Sequence, residues 1–163
     1  MNHLQRHQGG WAIALSLFVA LLLAAMPMPD WAASWRPEWV AMVLIYWCMA
    51  MPGRVGIWTG WMLGLVLDVL QGGLLGQHSI GLSLVAFITL GLHKRLRVSP
   101  LLQQALAVAL MLVLYRLIWL WIGVVTGQQA ERSLVWLPAL SSMLLWPWLF
   151  ILLRDLRRRA SVR

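Results

Sequence analysis

The sequence predicts an all-α integral membrane protein built as a bundle of six transmembrane helices. Three observations carry that expectation. The 163 residues are 61% hydrophobic and only 11% charged, with a mean hydropathy of +0.77, whereas a soluble domain has about 25% charged residues. The apolar residues gather into six runs separated by proline, glycine and charge. The basic residues stand at the ends of those runs, mostly on one predicted side.

The runs are residues 11–26, 39–51, 55–70, 79–92, 101–125 and 134–153. Crossing about 30 Å of hydrocarbon takes roughly 20 residues. The first, fifth and sixth meet that with their flanks. The other three are short and need neighbours or interfacial aromatics to cover their ends. The first has a weakly basic start and no clean small-x-small cleavage site, so it reads as a span and not as a cleaved signal peptide. Pro27 and Pro29 end it. Pro37 opens the second, where a missing N–H costs least. Pro52 and Gly53 separate the second from the third; Gly72, Gly73 and Gly76 break the third from the fourth; Pro100 opens the fifth. Pro138 and Pro147 fall inside the sixth, where proline bends a helix. The last ten residues, 154–163, read as a basic cytoplasmic tail. The whole chain forms one membrane domain.

Lysine and arginine placement sets the orientation. With the N-terminus inside, ten of the thirteen basic residues face the cytoplasm: Arg6, Arg54, Lys94, Arg95, Arg97, Arg154, Arg157, Arg158, Arg159 and Arg163. Arg36 and Arg132 fall outside with Asp30, Glu38 and Glu131, and Arg116 lies within a span. Trp31, Trp35, Trp39 and Trp136 gather at the predicted outer face, as an interfacial aromatic belt does. An even number of spans keeps both termini cytoplasmic. The net charge of +8 is then a topology signal facing anionic lipid, and not a nucleic-acid footprint.

The third run carries the most distinctive pattern. Gly56, Gly60 and Gly64 recur every fourth residue, and Asp68 is the next step. A bare glycine ridge lets another backbone approach closely. Four-residue spacing drifts by about 40° per step on an α-helix, so Trp61, Gly64 and Asp68 are expected on one face while Gly56 turns away. The ridge is either packed against another helix of this chain or a groove for a partner's helix. A carboxylate at this depth is costly in lipid without a partner. Asp68 stands fourteen residues beyond Arg54, and Arg116 fifteen beyond Leu101. At ~1.5 Å per residue both reach a depth of about 21–22 Å. A buried Asp68–Arg116 pair is therefore one expectation. The alternatives are that Asp68 caps the Gly72–Gly76 turn and that Arg116 snorkels outward. The loop of Gly72, Gly76 and His78 is either a tight connection or a re-entrant turn at the mouth of an outer cavity.

Catalytic and metal chemistry find no constellation. His78 and Ser79 are adjacent, but no third group orients them and no Gly-x-Ser-x-Gly elbow is present. Ser141 and Ser142 read as packing and back-bonding residues. His3, His7, His78 and His93 lack ligand spacing, Cys48 is the only cysteine, and no phosphate loop occurs. No enzyme activity, cofactor or metal is expected.

Arg36-Pro37, Tyr46-Trp47, Pro52, Arg54, Gly56, Trp61, Gly64-Leu65, Asp68, Gly72, Leu75-Gly76 and His78 resemble the signature region of the MreD family of rod shape-determining proteins of the bacterial inner membrane. The resemblance covers about residues 36–79 at motif level. It implies a role in the machinery that elongates the cell by lateral peptidoglycan synthesis. The implied partners are an MreC-like membrane protein and, through it, an MreB-like cytoskeleton and the RodA glycosyltransferase with its transpeptidase. It also implies, by fold analogy, a likeness to the S-components of energy-coupling-factor transporters. Two functions follow: a non-catalytic scaffold docking the transmembrane helix of the MreC-like partner, or an S-component-like binder of a lipid or small molecule in an outward cavity near Asp68, Gly72–His78 and Arg116.

Overall fold

The computed structural model describes residues 9–128 and 136–160. Among them are seven helices: α1 (Gly10–Ala25), α2 (Asp30–Ala33), α3 (Trp39–Ala50), α4 (Ile57–Gln71), α5 (Gln77–Val98), α6 (Leu101–Val125) and α7 (Trp136–Arg159). Six of them coincide with the six apolar runs. The short α2 lies in the first connection and was not expected. Arg6, His3, His7, Glu131, Arg132, Leu134 and Arg163 lie outside the described residues.

The chain is a helical membrane protein. α5, α6 and α7 are long and apolar enough to cross a bilayer, and α1, α3 and α4 are apolar but shorter. Six exposed tryptophans stand toward the ends of the bundle, Trp11 and Trp58 near one and Trp31, Trp35, Trp121 and Trp136 near the other, where an amphipathic ring is most stable, while Trp148 is exposed at the middle of α7.

α3 is the centre of the molecule. Its sequence is apolar all round, and Val40 to Met49 are all buried. A helix without a polar face sits either against lipid or inside protein, and here neighbouring helices cover it. α1, α5, α6 and α7 do so. At ~1.5 Å per residue α3 is about 18 Å long, and its place among its neighbours is what makes so short an apolar helix tolerable. Trp47, fully buried, donates its indole N–H to Ser16 Oγ on α1 at 2.7 Å. The backbone N–H of Glu38, just before α3, donates to Ser142 Oγ on α7 at 3.0 Å. Polar links of this kind add to helix association where lipid removes most of the hydrophobic drive.

Two boundaries need correction. α5 runs on to Val98, beyond the expected end at residue 92, because the basic turn of Lys94, Arg95 and Arg97 continues the helix. α7 likewise continues to Arg159, so most of the expected tail is helix. Arg157, Arg158 and Arg159 fill its last turn, where cations meet the negative end of the helix dipole. Pro138 lies in the first turn of α7 and Pro147 inside it.

Candidate functional site

α4 and α5 make the most extensive helix pair, and the turn joining them organises one end of the bundle. Gly72 ends α4 in the left-handed region at φ 64°, and Gly76 precedes α5 at φ 102°. Both conformations favour glycine. They fold residues 72–76 into a tight connection.

That turn brings Asp68 onto the start of α5. Its Oδ2 accepts the backbone N–H of Gly76 at 2.8 Å, and its Oδ1 accepts that of His78 at 3.0 Å. The same Oδ1 lies 2.6 Å from His78 Nδ1. The first N–H groups of a helix have no partner within it, and the helix dipole favours an anion there. Asp68 therefore caps α5 from the preceding helix, and it is buried. A carboxylate only accepts, so His78 carries its proton on Nδ1 and keeps Nε2 for other contacts.

The expected Asp68–Arg116 pair does not form. Arg116 on α6 pairs with Glu38, the residue just before α3. Arg116 and His78, the partner of Asp68, line the same pocket at one end of the bundle. The turn, however, presents Asp68 with three donors eight to ten residues away. Glu38 remains for Arg116. The sequence reading placed Glu38 in a connection outside the membrane and missed it.

Arg116, Glu38, His78, Gln71, Tyr115, Trp119 and Arg36 line a polar pocket of about 60 Å³ at this end. The Arg116 guanidinium lies 5.8 Å from the Trp119 ring centre, within cation–π range. Gln77 Nε2 donates to the Trp119 carbonyl at 2.9 Å and ties α5 to α6. Arg36 donates to the carbonyl of Met26 at the end of α1. Gly72 and Gly76 shape the turn but do not line the pocket.

The glycine ridge faces inward. A Cβ on Gly64 would stand 2.2 Å from Ser79 Cα, and one on Gly60 would stand 2.9 Å from the Leu82 carbonyl oxygen. Both positions are filled by the backbone of α5. Gly56 precedes α4 as its N-cap and has only an ordinary contact, 3.6 Å to Leu90. Trp61 does not share the buried face. The residues that do are Gly60, Leu63, Gly64, Leu67 and Asp68, and Trp61, one step of ~100° from Gly60, is exposed. A third close approach, Gly81 on α5 against the Tyr115 ring at 2.4 Å from a built Cβ, lay outside the four-residue pattern and was missed. Ser141 back-bonds to Pro138 at 3.1 Å as expected.

Residues 5–156 match the family described as rod shape-determining protein MreD. The chain belongs to the MreD family. It is 35% identical over 156 residues to the rod shape-determining protein MreD of Haemophilus influenzae, covering 93% of this chain and 94% of that one. No solved structure matches it. The MreD match extends the motif resemblance of residues 36–79 to nearly the whole chain, so the hydrophobic second half, with Arg116 and α7, is also part of the family's domain. By its family the chain is a shape-determining membrane protein.

Proposed function

We propose that this chain is a non-catalytic membrane scaffold of the cell-elongation machinery. It crosses the bacterial inner membrane six times with both termini in the cytoplasm, and it docks the transmembrane helix of an MreC-like partner. Through that partner it serves an MreB-like cytoskeleton and the RodA glycosyltransferase with its transpeptidase. Anionic lipid contacts its basic end, and nucleic acid has no place in the role. Membership of a shape-determining family over residues 5–156 carries the reading.

The glycine ridge is consumed by α5, so the partner's helix takes another surface. An apolar cleft of about 400 Å³ lies between α1 and α7, lined on its α1 wall by Leu15, Ser16, Val19, Ala20 and Leu23. Ser16 and Ala20 face inward, whereas Leu15 and Val19 of that wall are exposed and open to a partner's helix. The S-component-like alternative fares less well. The polar pocket at the α4–α5 end is about 60 Å³, against roughly 300–1,000 Å³ for small-molecule sites.

Single cysteines along α1 and α7, in a Cys48→Ser background, test the docking. Crosslinks to the MreC-like partner are expected from Val19 and Leu152 and not from Leu110 on α6. Crosslinks from α6 alone would overturn it. Labelling cysteines at both ends of the chain from either side of the membrane tests the topology.

A further inference from the structure

The C-terminal ends of α3, α5 and α7 meet at the end of the bundle opposite the α4–α5 turn. There a pocket of about 150 Å³ is lined by Arg97 of α5, Arg154 and Arg157 of α7, and Tyr46, Met49, Ala50 and Phe150. We propose that this pocket binds the phosphate of an anionic phospholipid headgroup.

Helix C-termini leave carbonyls unpaired and attract cations, so the first question is whether these arginines merely cap. Arg97 does cap: one of its terminal nitrogens donates to the carbonyls of Met49 at 2.8 Å and Ala50 at 3.1 Å. That fixes its guanidinium over the end of α3. Arg154 and Arg157 do not. Three apart, they share one face of α7, and among the described residues neither pairs with a carboxylate. Asp155 stands between them in sequence but does not line the pocket. Two cations thus converge on a space beside a third that is already held, and no carboxylate among the described residues pairs with them.

The occupant is read from chemistry and place. Guanidinium groups recognise phosphate through paired N–H donors. Phe150 and Met49 give the lining apolar side chains, and the next residue after Arg97, Val98, is strongly exposed. A ligand there is charged at its head and meets lipid around it. Basic pockets between membrane helices suit such headgroups. This deepens the lipid contact proposed above. It depends on that reading only for which leaflet is meant.

Native mass spectrometry of the full chain in a neutral detergent tests the site whatever the topology is. The protein is offered phosphatidylglycerol and phosphatidylcholine together. Retention of phosphatidylglycerol over phosphatidylcholine is expected, and the paired change Arg154→Gln with Arg157→Gln should reduce it about tenfold. The paired change Arg158→Gln with Arg159→Gln removes the same charge outside the pocket and should reduce it less than about twofold. An equal loss in both would mean diffuse attraction and would overturn the proposal. So would equal retention of the two lipids by the unaltered chain. Inorganic phosphate at millimolar concentration should leave the lipid in place; displacement would make this a site for free phosphate and overturn the lipid assignment. Unfolding temperatures of the two variants should match each other, since both remove last-turn charge of α7 and no arginine of either pair forms an ion pair among the described residues.

Discussion

Asp68 and His78 meet side chain to side chain across the α4–α5 turn, Oδ1 to Nδ1 at 2.6 Å, with the backbone N–H of His78 on the same oxygen. This one contact joins the two helices of the motif region and seats the first turn of α5. Asp68→Ala strands those donors in a buried site, which costs about 1–3 kcal/mol per unsatisfied group. Thermal unfolding in detergent should show Asp68→Ala far more harmful than Asp68→Asn, which keeps one acceptor oxygen. The cycle with His78→Ala should give a coupling of about 0.5–3 kcal/mol. Additive single changes would mean that the ring contact contributes nothing.

Glu38 and Arg116 form the second charge contact, between the start of α3 and the body of α6. Their side chains are 16% and 26% exposed, so the cost of breaking the pair falls below the ~3–5 kcal/mol of a fully buried one. Glu38→Ala and Arg116→Ala are each expected to cost ~1–3 kcal/mol. The exchange Glu38→Arg with Arg116→Glu should recover much of the loss in an unfolding assay. The exchange Asp68→Arg with Arg116→Asp should recover none, because those residues have different partners.

The glycines of α4 and α5 should separate by what surrounds them. Gly64→Ala drives a methyl into the α5 backbone at Ser79, and the two helices must part. Overpacking costs typically about 1–3 kcal/mol and sometimes more, so the loss here is expected at the upper end. Gly60→Ala meets the Leu82 carbonyl at 2.9 Å and should cost less. Gly91→Ala has nothing within 4 Å and gains up to ~1 kcal/mol of helix propensity. The order of unfolding temperatures should be Gly91→Ala, then Gly60→Ala, then Gly64→Ala. A neutral Gly64→Ala would contradict the close approach of α4 and α5.

Much of this architecture was readable before any coordinates. Apolar runs are long-range composition, and proline and glycine punctuate them locally, so the helices appeared where residues 11–26, 39–51, 55–70 and 101–125 were expected. Helix ends were read poorly wherever charge continued the helix, as at Lys94–Arg97 and Arg157–Arg159. Periodicity placed Gly60 and Gly64 correctly on a close-packed face, but it could not say which helix fills them. Asp68 shows the limit most clearly. Its burial near the end of α4 was legible, while its partner depended on the path of a five-residue turn. Glu38 was hidden for a different reason: a carboxylate next to proline in a connection carries no mark that the chain folds it back over α6.

Docking can be separated from folding at the cleft between α1 and α7. Val19 and Leu152 line it and are exposed, as is Leu110 on α6, so enlarging any of them leaves the buried core intact. Val19→Trp and Leu152→Trp fill the cleft, whereas Leu110→Trp adds the same ring to a face that plays no part in the proposed docking. All three proteins should reach the membrane and unfold at similar temperatures, since exposed sites away from special features usually shift stability by less than ~0.5 kcal/mol. In rod-shaped cells that depend on this chain, the two cleft variants should give rounded cells and lose crosslinking to the MreC-like partner. The α6 variant should keep rods. Because the three differ in position and not in stability, rods in all three would remove the cleft as the docking surface while leaving family and fold untouched, and rounding by Leu110→Trp alone would move the docking face to α6.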